Sequence, residues 1–152
     1  MNTKKLKIEQ LDNKFDLLSP LRSVTISDKG WIKTIRSSIG MSFSQFGKKL
    51  GITPQSAKAI ETREASGSIT LKSLNEAARA LDMKLVYAIV PIEGSLSDLI
   101  EEKAKEKAIE IVSRTSHNML LEDQENDNKR LKNEFEETVA ELKREVPKYL
   151  WD

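Results

Sequence analysis

The chain has 152 residues, 38% hydrophobic, 32% charged and only 5% aromatic, which suits one ordinary domain with appendages around a small aliphatic core. With no Cys and a single His, disulfide frameworks, thiolate sites and multi-imidazole metal centres are excluded, so neither metal nor cofactor is expected. The net charge of +1 hides an asymmetry: residues 1–94 hold 15 Lys+Arg against 9 Asp+Glu, and residues 95–152 hold 10 against 15. The basic part suits a polyanion, and the acidic part suits solvent or a protein surface. For any one charge, a solvated helix face is the plainer reading. No apolar run approaches a membrane span, and the basic N-terminus lacks the apolar core of a secretory signal. A soluble, cytoplasmic chain is expected.

In "KKLKIEQLDNKFDLLSP", Ile8, Leu11, Phe15 and Leu18 fall at helical spacing, and Pro20 ends the run. "SVTIS" (23–27) alternates Val24 and Ile26 and reads as a connector or short strand, so residues 1–29 form an N-terminal helix with its connector. "WIKTIRSSIG" places Trp31, Ile32, Ile35 and Ile39 on a short helix closed by Gly40. "SFSQFGKKLG" opens with a capping box, Ser42 and Gln45, carries Phe43, Phe46 and Leu50 on its inner side, and ends at Gly51. Thr53 caps the next helix and Pro54 takes its first position, where the missing N–H costs nothing. Ala57 and Ile60 point inward. Thr70 caps a last short helix with Leu71, Leu74, Ala77, Ala78 and Leu81 on one side.

The helices at 42–50 and 54–62, joined by a Gly-containing turn, fit a helix-turn-helix. Gly47 costs about 1 kcal/mol inside a helix, so it implies a close crossing. The other side of the second helix carries Gln55, Ser56, Lys58, Ala59, Thr62 and Arg63. Amides, hydroxyls and cations are what a helix in the major groove needs to meet base edges and phosphates, whereas a helix docked on protein would show apolar residues there. A plain solvent-exposed helix is the competing reading; short length, caps and regional charge favour DNA.

"MKLVYAIVP" (83–91) is rich in Val, Ile and Tyr and reads as a strand over 84–92. A lone strand is unstable, so it must pair with residues 23–27 or with a second copy, and the second copy is preferred. Residues 93–152 then read as two long helices. The first, capped by Ser97, has Leu96, Leu99, Ile100, Ala104, Ala108, Ile111 and Val112 on one side, with Glu101 and Lys105 as an i,i+4 pair. The second carries Leu131, Phe135, Val139, Leu142 and Val146 and stops at Pro147. The tail "KYLWD" either ties down the helix end or anchors a partner. Enzyme readings find no support: no phosphate-binding Gly loop is present, and His117 has no triad partners.

Residues 30–83 resemble the Xre-type, phage-repressor-like helix-turn-helix domain through "SFSQFGKKLGITPQSAKAIETRE" and "LKSLNEAARALDMKL". The resemblance implies base contacts from Thr53, Gln55, Ser56 and Ala59, and phosphate contacts from Ser42, Lys48, Lys49, Lys58, Thr62 and Arg63. It also implies a strand after the last helix that dimerises the protein through Leu85, Val86, Tyr87 and Ile89. Two recognition helices would then lie about one DNA turn apart on a palindromic operator. Across its length, in "KIEQLDNKF", "GWIKTIR", "TLKSLNEAARALDMKLVYAIVP" and "HNMLLEDQ", the chain resembles the family called mobile mystery protein A. Members are typically encoded beside a Fic-domain protein, which implies an antitoxin that restrains a Fic toxin and autorepresses its operon. Fic inhibition usually uses Ser or Thr, three residues, then Glu and Gly or Asn. Here Glu125-Asn126 is the candidate, with Leu121 at the hydroxyl position, and Glu93-Gly94 has Ile89 there. The alternative is a stand-alone regulator whose C-terminal helices, 93–152, only oligomerise. The expected fold is mainly α: a repressor-like bundle, one strand between copies, and long C-terminal helices.

Overall fold

A computed structural model describes residues 3–116 and 124–152, and the side chains of 3–115 and 128–152. The described chain is mainly helical: α1 (Thr3–Leu18), α2 (Trp31–Ser38), α3 (Phe43–Leu50), α4 (Pro54–Ser66), α5 (Leu71–Ala80), α6 (Leu96–Ser116) and α7 (Gln124–Glu145), with short 3-10 turns at Ser19–Ser23 and Lys148–Trp151. It divides into two compact units, Ser23–Ala88 and residues 1–22 with 89–152. The N-terminal helix therefore groups with α6 and α7, apart from the connector that follows it. No described helix is long and apolar enough to cross a membrane.

In Ser23–Ala88 the core is Ile32, Phe46, Ala57, Ile60, Ala77 and Leu81, contributed by all four helices and the cap of α5. Local chemistry fixes the helix ends. Ser42 Oγ accepts the Gln45 N–H, and the Gln45 side chain accepts the Ser42 N–H. Thr53 and Thr70 accept the N–H groups of Ser56 and Ser73. Trp31 and Ile39, expected inward, are half exposed. The inner row of this eight-residue helix is Ile32, Ile35 and Arg36, and Trp31 starts the helix one residue off it.

In the other unit α6 packs along α7 around Ile100, Ala104, Ala108, Val139, Leu142 and Leu150. Ala104 and Ala108 are wholly buried, and such small residues let two helix backbones approach. Ser97 does not cap α6. Ser95 does, exchanging hydrogen bonds with Asp98, while the Ser97 hydroxyl donates to Asp12 of α1. Asp12 also accepts the N–H of Leu96 at 2.6 Å and of Ser97 at 3.2 Å, placing a carboxylate on the positive end of α6. At the other end of α1, Lys4 Nζ donates to the carbonyls of Glu145 and Val146, closing α7. The tail ties down the helix end: Leu150 is buried in the core, and Tyr149 and Trp151 stay half exposed.

The strand expected over 84–92 does not form, and no strand occurs among the described residues. Nor does the segment pair with residues 23–27, which are equally without strand structure. High β-propensity cannot make a strand without a neighbouring edge, and the described residues offer none. Val86 is 69% exposed, Ile89 88% and Ile92 95%.

Hydrogen bonds from Lys105 and Lys143 hold the Glu101 carboxyl well down, from 4.5 to about 2. A carboxylate depressed in the folded state stabilises the fold above its unfolded value and loses that contribution as pH falls through the folded one. The thermal midpoint of the α6–α7 unit is therefore expected to fall between pH 4.5 and about 2, and less steeply in Glu101→Gln. Superimposable pH profiles from calorimetry would remove Glu101 from the acid response.

Candidate nucleic-acid interface

The α3–α4 pair makes a tight turn. Gly51 adopts a left-handed conformation (φ 69°), and the Ile52 N–H returns to the Gly47 carbonyl at 2.9 Å. Gly47 is buried against the start of α4: a Cβ there would lie 2.8 Å from the Ile52 carbonyl oxygen and 3.2 Å from the Thr53 carbonyl. Only a glycine lets α4 begin so close to α3.

α4 is held from one side. Its inner row is Ala57, Ile60, Glu61 and Glu64. Ala57 and Ile60 enter the core. Glu61, 5% exposed, pairs with the buried Arg36 of α2 through the Arg36 Nε–H. Arg36 Nη1 donates to the Met41 carbonyl at 2.6 Å, and the guanidinium sits 4.0 Å over the Phe43 ring. Every charge in this cluster thus has a partner. Glu64 accepts the N–H groups of Trp31 and Ile32, each at 2.8 Å, so the last turns of α4 cap the start of α2. Gly30 (φ 81°) makes room, since a Cβ there would lie 2.7 Å from the Glu64 carboxyl.

Arg36, Glu61 and Glu64 were not singled out from the sequence. The signal was there: Glu61 and Glu64 fall at helical spacing from Ala57 and Ile60, and Arg36 lies four residues after Ile32. Acids on an inward row require a cation or a helix end.

The opposite side of α4 is open. Gln55, Ser56, Lys58, Ala59, Thr62 and Arg63 are all exposed, as are Ser42, Lys48 and Lys49 on α3 and its cap. Their hydrogen bonds sort them. The Thr53 hydroxyl accepts the Ser56 N–H and donates to Ser56 Oγ at 2.9 Å, so it is committed to the cap. Thr62 Oγ1 donates to the Lys58 carbonyl, and Lys49 pairs loosely with Asp82 at 3.5 Å. The Gln55 amide and the charged ends of Lys48, Lys58 and Arg63 have no partner among the described residues. Phe43, at the helix start where the resemblance implies a phosphate contact, instead carries the Arg36 guanidinium.

The other expected residues lie apart. Leu85, Val86, Tyr87 and Ile89 belong to the 84–92 segment, which has no regular structure; of these four Leu85 is half-buried and the others are exposed. Glu125 and Asn126 fall in the first turn of α7, and their side chains lie outside the described residues, as do His117 and Leu121 altogether. Comparison with protein-family models, curated proteins and solved structures found no match to this chain.

The buried pair yields a test of how α4 is held. Glu61→Ala strands the Arg36 charge and is expected to cost about 3–5 kcal/mol of stability. The double change Arg36→Met with Glu61→Leu removes both charges and should cost clearly less. Urea denaturation measures both, and a double variant no better than the single one would contradict the assignment.

Proposed function

We propose that the chain is a sequence-specific DNA-binding repressor that acts as a homodimer and as the antitoxin of a Fic-domain protein, binding the toxin and repressing its own operon. The observation that carries the DNA reading is the two-sidedness of α4. All its packing and ion pairing lie on one side, and the other offers the Gln55 amide and the Lys58 and Arg63 cations, which no part of the described chain uses, beside Ser56 and Thr62 hydroxyls bonded only within α4 and its cap. In the major groove, the Gln55 amide matches the paired donor and acceptor of adenine, while Lys48, Lys58 and Arg63 neutralise phosphates.

The dimer reading is supported by residues 84–92. Val86, Tyr87, Ile89 and Ile92 stand in solvent, and a second copy of the same segment would supply the missing edge. Leu85, Val86, Tyr87 and Ile89 then become the interface. The toxin reading rests on the resemblance to mobile mystery protein A and on the acidic balance of residues 95–152, with Glu125 and Asn126 as the candidate inhibitory pair. A second reading, a stand-alone regulator, draws on the closed core of α6 and α7, which suits an oligomerisation unit as well as a toxin-binding one. A pull-down with a Fic-domain protein encoded beside this chain separates the two.

Gln55→Ala is expected to weaken binding to the specific site by about 1–3 kcal/mol and to relax sequence preference there. Fluorescence anisotropy on cognate and scrambled duplexes measures it, and wild-type affinity and preference would refute the recognition-helix assignment. In cells co-expressing the Fic partner, Glu125→Ala should lose growth protection; full protection removes Glu125 from the inhibitory mechanism.

A further inference from the structure

Between α2 and α4 runs a groove of about 360 Å³, of which the DNA reading takes in only the α4 side. Lys29 and Lys33 line it from the α2 side, and Lys58 and Thr62 from α4. Its lining holds four cations, Arg36 included, against two carboxylates, Asp28 and Glu61. Glu61 is already spent on Arg36, so the opposing charge left is Asp28 alone. The ammonium groups of Lys29, Lys33 and Lys58 form no ion pair among the described residues, and all three lysines are exposed.

The geometry of a helix in DNA says what such a groove faces. An α-helix with its side chains is about 10–12 Å across, and the major groove is about 12 Å wide. A helix reading bases along one line therefore has both flanks against phosphate chains. At about 100° per residue, Lys58 lies roughly 60° round α4 from Gln55 on one side, and Arg63 roughly 80° on the other. Lys58 is the flank that borders this groove, Lys33 continues its positive charge onto α2, and Lys29 onto the turn before α2.

We infer that the α2–α4 groove seats one phosphate chain of the bound duplex, with Lys33 and Lys29 as sequence-independent contacts. This rests on the proposal that α4 reads DNA. It enlarges the footprint beyond the helix-turn-helix, to a helix that precedes it. Charge complementarity selects a polyanion backbone over an apolar occupant.

The test uses the full chain and a duplex selected by the wild-type protein from a random-sequence pool. Affinity is measured over a series of salt concentrations. Each phosphate contact contributes about 0.9 to the slope of log affinity against log salt. Lys33→Ala and Lys29→Ala should each reduce that slope by about 0.9 while leaving the ratio of specific to scrambled binding unchanged. Lys33→Arg should restore the slope, and Lys72→Ala, on α5, should leave it as in wild type. An unaltered slope in Lys33→Ala and Lys29→Ala overturns the inference while the DNA reading stands. A wild-type protein that selects no sequence from the pool overturns the DNA reading and the inference with it. If Lys33→Ala binds duplex normally but no longer holds the Fic partner, the groove belongs to a protein and the inference is again overturned.

Discussion

A helix with one long side open must be held entirely from the other. α4 meets that constraint with more than apolar packing. Ala57 and Ile60 supply the apolar contact, which on a single narrow stripe would fix the position of the helix but hold its rotation loosely. Glu61 and Glu64 fix the rotation, one through a buried guanidinium and the other through two backbone N–H groups of α2. Directional bonds suit this task because they fail when the helix turns, whereas a hydrophobic contact tolerates sliding. Gly47 sets the remaining degree of freedom, the distance between α3 and α4.

Those same carboxylates explain which parts of the molecule were legible in the sequence. The caps at Ser42, Thr53 and Thr70, the left-handed Gly51 and the close approach at Gly47 were readable because their physics spans three to five residues. The Arg36–Glu61 pair was not, because its partners are 25 residues apart and a charge on a helix is by default solvated. Asp12 escaped for the same reason, reaching the start of α6 from 84 residues away and displacing the expected role of Ser97. The 84–92 segment shows a different limit. Its Val, Ile and Tyr content is real, but a strand is a property of two edges, and the described residues of one chain form no strand there.

The open side of α4 was legible as a polar face, though not in its internal bookkeeping. Thr53 and Ser56 look like equivalent hydroxyls in sequence. In the fold the Thr53 proton is given to Ser56, while the Ser56 hydroxyl proton has no acceptor among the described residues. The division of labour is set by which residue caps the helix, and it leaves Gln55 as the one exposed side-chain amide on α4.

The chain passes between its two units twice, after residue 22 and after residue 88. The second passage lies in the largely exposed 84–92 stretch without regular structure, a kind of segment that proteases cut readily. A single nick there would not part the protein into two pieces that drift away. The N-terminal fragment would still carry α1, clasped to α6 by Asp12 and to α7 by Lys4 and packed on their core through Ile8, and so would remain bound to the C-terminal fragment. The polar share of that hold weakens with salt, so the lifetime of a cleaved molecule would depend in part on ionic strength.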